Sequence, residues 1–237
     1  MTATLLSDQT VSQTTVAVRP RSALSAAEVA EANGLLEGKS PHEIVEWAVA
    51  TFGIRLAMTA SFADTTMIDI ATKVDPDIEV IFLDTGFHFA ETLNTVRRAM
   101  ERYELNLTVL RPDANAADVW ADGSEACCAA RKVSPLEEYL PNHADAWLSG
   151  LRRADGASRA NTPIVTIDKR GLVKISPIAA VSDEEYEAYI SEHDVIVNTL
   201  ELDGYASIGC WPCTEPSTDG RSGRWAGSGK TECGLHL

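Results

Sequence analysis

Leu56-Ala57-Met58-Thr59-Ala60 runs straight into Ser61-Phe62-Ala63-Asp64-Thr65-Thr66, and an apolar stretch follows from about Met67 to Val74. Apolar and small residues without polar alternation read as a strand buried on both faces. The Ser, Asp and Thr residues that follow favour a turn into a helix. The unit repeats downstream. Glu79-Val80-Ile81-Phe82-Leu83 reads as a strand ending at Asp84-Thr85-Gly86, with a helix from about Phe89 to Tyr103. Leu107-Thr108-Val109-Leu110 is the third strand and Ala146-Trp147-Leu148-Ser149 the fourth. Strands alternating with helices predict an α/β fold, a mostly parallel sheet covered by helices through right-handed crossovers.

Upstream, Ser25 with Glu28 and Ser40 with Glu43 have the spacing of capping boxes, and Pro41 suits a first helical position. Gly53 is placed to end the second of these helices. Further along, Asp168-Lys169-Arg170-Gly171 separates two short apolar runs between Ile164 and Ile175, which predicts a hairpin. Ser182 and Glu185 cap another helix, and residues 182–203 hold eight acids and no Lys or Arg, the pattern of a solvated helix face. Glycine, proline and serine dominate from Gly204 onward. The chain therefore divides into an arm (1–22), an α/β domain (23–203) and a segment lying over that domain (204–237).

The 237 residues carry a net charge of −15, which argues against a general nucleic-acid surface. No apolar run is long enough to span a bilayer, and residues 1–22 lack the basic start and apolar run of a signal peptide. A reducing cytoplasm is the expected setting. The sequence does not decide between a monomer and a homo-oligomer. Basic residues form islands: Arg131-Lys132, then Arg152, Arg153 and Arg159, then Arg221, Arg224 and Lys230. Such islands on an acidic chain suit a small phosphate- or sulfate-bearing ligand. In an open α/β sheet that ligand lies at the carboxyl ends of the strands. Ser61, Asp64 and Thr65 stand at one such end, and Leu83, Asp84 and Gly86 at the next. Neither segment has the GxxxxGK[ST] or GxGxxG pattern.

Five cysteines fall in three places: Cys127-Cys128, Cys210-Trp211-Pro212-Cys213, and Cys233 on a glycine-rich tail. An odd count argues against a disulfide framework. Four thiols in two pairs suit one iron–sulfur site, with a four-cysteine zinc site as the competing reading. The fifth suits a mobile nucleophile.

These motifs together resemble the phosphosulfate reductases of sulfate assimilation, from about residue 40 to the end. The resemblance rests on Ser61–Thr66 as a modified PP-loop, on Phe82–Gly86, and on Cys127-Cys128-Ala129-Ala130-Arg131-Lys132-Val133-Ser134-Pro135-Leu136. It continues through Trp147–Arg153, Gly209–Cys213 and Lys230-Thr231-Glu232-Cys233-Gly234-Leu235-His236. It implies an adenine nucleotide α-hydrolase-like fold with a flexible C-terminal tail. Both cysteine pairs are similar to those of the adenylyl-sulfate (APS) branch, which implies a [4Fe–4S] cluster on Cys127, Cys128, Cys210 and Cys213. It implies Cys233 as nucleophile towards APS, Lys132, Arg221, Arg224 and Lys230 as its cationic partners, and thioredoxin or a similar thiol as reductant. A 3′-phosphorylated substrate (PAPS) and a non-catalytic nucleotide-binding redox sensor are the rival readings. His236 reads as tail packing or a solvent-exposed residue, and His88 as a helix-start residue.

Overall fold

The computed structural model describes residues 24–218 and 220–235. The expected arm, residues 1–22, and His236 lie outside the described residues. The strands form where the apolar runs place them: β1 (Leu56–Ala60), β2 (Glu79–Leu83), β3 (Leu107–Leu110), β4 (Ala146–Leu148), β5 (Val165–Ile167) and β6 (Val173–Ile175). Ser149, expected as the end of β4, lies just beyond it, with its N–H donating to the Ile175 carbonyl at 2.8 Å. The helices are α1 (Ala26–Leu36), α2 (Pro41–Phe52), α3 (Thr66–Val74), α4 (Ala90–Tyr103), α5 (Gly123–Cys128), α6 (Ser134–His143) and α7 (Asp183–Glu192). Ser25, Ser40 and Ser182 each close a complete capping box, and Gly53 ends α2 with φ +51°.

The sheet runs in the order β3-β2-β1-β4-β6-β5. All neighbours are parallel except β5 and β6, the expected hairpin. Met58 of β1 pairs with Val80 on one side and Leu148 on the other. The strand order therefore reverses beside β1: β2 and β3 build outward on one side, and β4 starts the other. That reversal is the topological switch point, where loops leaving adjacent strands diverge and open a crevice.

Adjacent residues of β1 face opposite sides of the sheet, which splits the core in two. Met58 packs in a cluster with Ile44, Val45, Ala48 and Ile68 on one face. Ala57 joins Ile81, Leu136, Leu140 and Trp147 on the other. Each such buried aliphatic side chain contributes about 1.5–3 kcal/mol of transfer free energy. Trp147 is wholly buried, and its indole N–H donates to Asp168 at 2.9 Å, so a large apolar group is placed without an orphaned donor. Among the described residues no helix is long and apolar enough to cross a membrane.

Residues 204–218 and 220–235 lie across the carboxyl edge of the sheet. Cys210 forms a bridge with His88, Trp211 N–H donates to the Phe87 carbonyl at 2.9 Å, and Trp225 N–H donates to the Cys213 carbonyl at 2.9 Å.

Candidate active site

A cavity of about 640 Å³ opens at the switch point. Ser61, Ala63 and Asp64 line it after β1, Leu83 at the end of β2, and Gly150, Leu151 and Arg152 after β4. Arg221, Arg224 and Cys233 of the covering segment close it, with Lys132 and Arg159 at its wall. The loop after β1 is conformationally strained. Phe62 has φ +56°, a region that a bulky L-residue adopts only under constraint. Its ring is held edge-on to Phe82 at 5.2 Å and its carbonyl accepts from Asn198. Asp64 takes the Thr66 N–H and the Tyr186 hydroxyl, each at 2.7 Å, and so fixes the entry to α3.

The four paired cysteines meet in a second, smaller cleft beside this cavity, with Thr85, Phe87, Pro212 and Trp225 around them. All five cysteines are free. Cys127 and Cys128 end α5, and residues 129–133 continue as one π-helical turn before α6. The wider turn begins after the pair and re-aims the chain from Ala129 onward, the stretch that carries Arg131 and Lys132. Burial, and then the nearby Cys128 and Cys210 sulfurs, push the Cys127 thiol up to about 11. Burial, followed by Cys210, likewise raises Cys213. Crowded, desolvated thiols of this kind are poor free nucleophiles and are relieved by a bound cation or cluster. Thr85 Oγ1 lies 3.3 Å from Cys210 Sγ, and the Lys230 ammonium hydrogen-bonds Cys128. Among the described residues no three His, Cys, Asp or Glu side chains converge tightly enough to hold one metal ion. Four thiols in two pairs are a donor set that suits a four-iron cluster, in which each thiolate holds a different iron.

Lys132 stands between the two spaces and lines both. Burial works against its ammonium, yet the Cys210, Cys233 and Cys128 sulfurs outweigh it and hold its pKa above the ordinary lysine value. Trp225, buried at φ +52°, is a platform for cations: Arg224 lies 4.5 Å, Lys230 5.5 Å and Arg221 5.8 Å from its ring centroid. Arg224 Nη1 also donates to the Ile208 carbonyl at 3.1 Å. The Nε atoms of Arg221 and Arg224 are buried without a protein partner. Two such donors at one cavity leave hydrogen-bonding capacity that an anion could take up.

The expected site residues thus separate. Ser61, Asp64, Leu83, Lys132, Arg152, Arg159, Arg221, Arg224 and Cys233 share the cavity, and Thr65, Asp84, Gly86, Arg131, Arg153 and Lys230 do not line it. Thr65 is buried against Ile196 and Tyr103. Asp84 accepts from the Gly86 N–H and pairs with Arg111. Arg131 spends its guanidinium on the carbonyls of Ala116, Ala117 and Thr85, so it braces the cysteine cleft. Arg153 forks onto Glu37, which caps the end of α1, away from the cavity. Lys230 pairs with Glu125 and reaches the Ser124 carbonyl on α5.

Other residues were missed. His88 does precede α4, but its Nε2–H also donates to the Leu83 carbonyl at 2.8 Å and its backbone pairs with Cys210, joining the end of β2 to the cysteine loop. Burial lowers its pKa, so the neutral ring is favoured. The acidic stretch 182–203 is not solely a solvated face. Asp183 pairs with Arg152 at 2.9 Å, and Asp183, Glu187 and Glu201 line the cavity. Burial, and then Asp64, push Glu201 up to about 7. An aromatic next to an arginine cluster could have flagged Trp225; no local pattern points to His88 or Glu201.

Comparison with known proteins agrees with this architecture. Residues 55–216 match the phosphoadenosine phosphosulfate reductase domain. A Streptomyces coelicolor protein named adenosine 5′-phosphosulfate reductase is 47% identical, the match covering 85% of this chain and 90% of the relative. The crystal structure of phosphoadenylyl-sulfate (PAPS) reductase from Candida auris in a phosphate complex superposes with a TM-score of 0.72 at 28% identity, covering 81% of this chain and 98% of that one. Candida glabrata FMN adenylyltransferase, with FAD and pyrophosphate, shares the fold alone: TM-score 0.57, 13% identity, 83% of this chain and 69% of that one. The sheet is that of the nucleotide α-hydrolases, and the chain belongs to the phosphoadenosine phosphosulfate reductase family.

Proposed function

We propose that this protein reduces adenosine 5′-phosphosulfate to sulfite and AMP, through a covalent intermediate on Cys233 and with electrons from a dithiol protein such as thioredoxin. One observation carries the reading: Cys233 lines the same switch-point cavity as Arg221 and Arg224, whose buried Nε donors lack partners. The likeness to relatives named adenosine 5′-phosphosulfate reductase supports APS as substrate over its 3′-phosphorylated form.

The chemistry balances on the residues present. The Cys233 thiolate attacks the sulfur of APS, an S–S bond forms, and the S–O bond to phosphate breaks with its electron pair leaving on AMP. Lys132, Arg221 and Arg224 neutralise the charge that develops on the departing oxygen. A thiolate of the reductant then attacks Cys233 Sγ and expels sulfite. Its second thiol resolves the mixed disulfide, so the two electrons come from the dithiol. Residues 23–203 act as the nucleotide-binding domain, and residues 204–237 bring the second cysteine pair and a tail that closes for attack and opens to the reductant.

Cys127, Cys128, Cys210 and Cys213 would hold a [4Fe–4S] cluster in this reading, which would link α5 to the covering segment and supply charge near Lys132. Free thiols on this scale suit a reducing cytoplasm.

Sulfite release from APS and from PAPS, side by side with reduced thioredoxin, tests the proposal. APS should be used far more efficiently, and incubation without reductant should stop after about one AMP per site, as a covalent intermediate requires. Equal or better use of PAPS refutes the substrate assignment.

A further inference from the structure

The residue before the nucleophile has no part in the chemistry above, yet it is among the most strongly held on the covering segment. Glu232 receives a fork from Arg159, with Nε at 2.8 Å and Nη2 at 3.1 Å, and a further contact from Arg221 Nη2 at 3.4 Å. Its side chain is 11% exposed. Arg159 is itself fixed from behind by Asp155 at 2.9 Å, so the seat is built before the tail arrives. Two residues past Cys233, Leu235 packs against the apolar cluster that contains Leu83, Leu136 and Trp147. Gly234, between them, has φ +87°, and a Cβ there would stand 3.4 Å from Val133 Cγ2. The nucleophile is therefore bracketed by a charged anchor on one side and an apolar anchor on the other, joined by a residue that must be glycine to make the turn.

We propose that Glu232 is a positioning residue for Cys233: seated on Arg159 and Arg221, and helped by Leu235, it clasps the tail so that the thiol stays at the cavity. A bidentate guanidinium–carboxylate pair fixes direction as well as distance, which a single contact would not do. The seat is cationic because the cavity is built for an anion. Glu232 and an anionic substrate therefore draw on neighbouring arginines, and loosening the clasp changes how often the tail is closed rather than how the cavity is shaped.

The inference rests on the proposed role of Cys233, so its test uses a readout that does not need APS turnover. The rate at which iodoacetamide alkylates Cys233 in the full chain as purified is followed by mass spectrometry of the C-terminal peptide. A clasped thiol reacts slowly. Glu232→Gln keeps shape and removes charge, and should raise the rate about tenfold. Leu235→Ala, which loosens the other anchor, should raise it several-fold. Arg159→Gln should act like Glu232→Gln, and the double variant should stay within about twofold of the faster single, because both break one contact. Where APS is turned over, Glu232→Gln should lower kcat and leave KM nearly unchanged. An unchanged alkylation rate in Glu232→Gln, or full multiplication of the two single effects, overturns the clasp. Sulfite release that persists beside such a result leaves the proposed function standing. A missing sulfite signal beside a faster alkylation rate removes the function and keeps the clasp.

Discussion

The two thiol regions of this molecule use the same side chain for opposite ends. At the cysteine cleft, Cys127, Cys128 and Cys210 are buried against one another, and burial drives Cys127 up to about 11. At the cavity, Cys233 is half-buried, lies on the tail between two anchors, and shares its space with Lys132, Arg221 and Arg224. Crowding among thiols suits ligation, whereas cations around a reachable thiol suit attack. Sequence spacing alone separates four cysteines from one; their surroundings supply the reason for the separation.

Replacing one thiol from each region tests that contrast most severely. Cys233→Ser should keep its iron and sulfide, because this residue stands outside the proposed ligand set, while sulfite release falls on the order of a thousandfold or more. Cys210→Ala should lose most of the roughly four irons per chain and with them the brown colour. Iron analysis and sulfite assay on the same two preparations decide it. Iron loss in Cys233→Ser, or iron retained in Cys210→Ala, would merge the two regions into one.

The sheet was legible because it obeys local rules. Leu56–Ala60, Glu79–Leu83 and Leu107–Leu110 are short apolar runs between turn residues, and each forms a strand with the bounds the runs suggest. The three serine–glutamate boxes form because their hydrogen bonds span only three residues. Residues 111–145 were not legible in this way. The π-helical turn after Cys128 lies beside the cysteine cleft, and the following helix α6, with Pro141 inside it, is held by Leu136 and Leu140 packing into the core against Ala57, Ile81 and Trp147. The division of the arginines was equally hidden. Arg153 and Arg159 belong to one basic island, yet Arg153 faces Glu37, 116 residues away, and Arg159 faces Glu232, 73 residues away, partners that no spacing rule names.

Lys132 links the two regions, so its removal should affect one function more than the other. Lys132→Ala deletes a cation between the Cys210 and Cys233 sulfurs. Turnover of APS should fall tenfold or more, in kcat rather than KM, because the charge it meets develops in the transition state. Iron content should stay near wild type. An unaffected kcat removes Lys132 from the reaction, and a colourless variant makes it part of the cysteine cleft instead.

A milder test enters through backbone space. A Cβ at Gly209 would stand 2.2 Å from Arg224 Nη2. Gly209→Ala must therefore push the guanidinium off the Ile208 carbonyl and away from its place over Trp225. The KM for APS should rise about fivefold, the worth of one charged hydrogen bond loosened, with the iron intact. An unchanged KM would mean that Arg224 does not hold the substrate anion.

The smallest effect concerns the charge gathered on the nucleophile's side. Lys174 of β6 is buried beside Arg170 and Arg159, and burial lowers its pKa to about 8, with Asp168 only partly offsetting the loss. In the unfolded chain the same group titrates near 10.5. Between these values the unfolded state holds a proton that the folded state has released, so this group's contribution to stability rises with pH across that window. Below about 8 the buried charge is present in full and the penalty is greatest, no more than about 3 kcal/mol. Lys174→Met keeps the length and drops the charge, at the loss of a cation–π contact with Trp147. Thermal unfolding at pH 7 should shift upward by about 5 °C or less. The gap between variant and wild type should narrow as the pH is raised from about 8 toward 10.5. A gap that is constant across that range, or a variant less stable at pH 7, would show that Asp168 and Glu232 compensate the Lys174 charge in full.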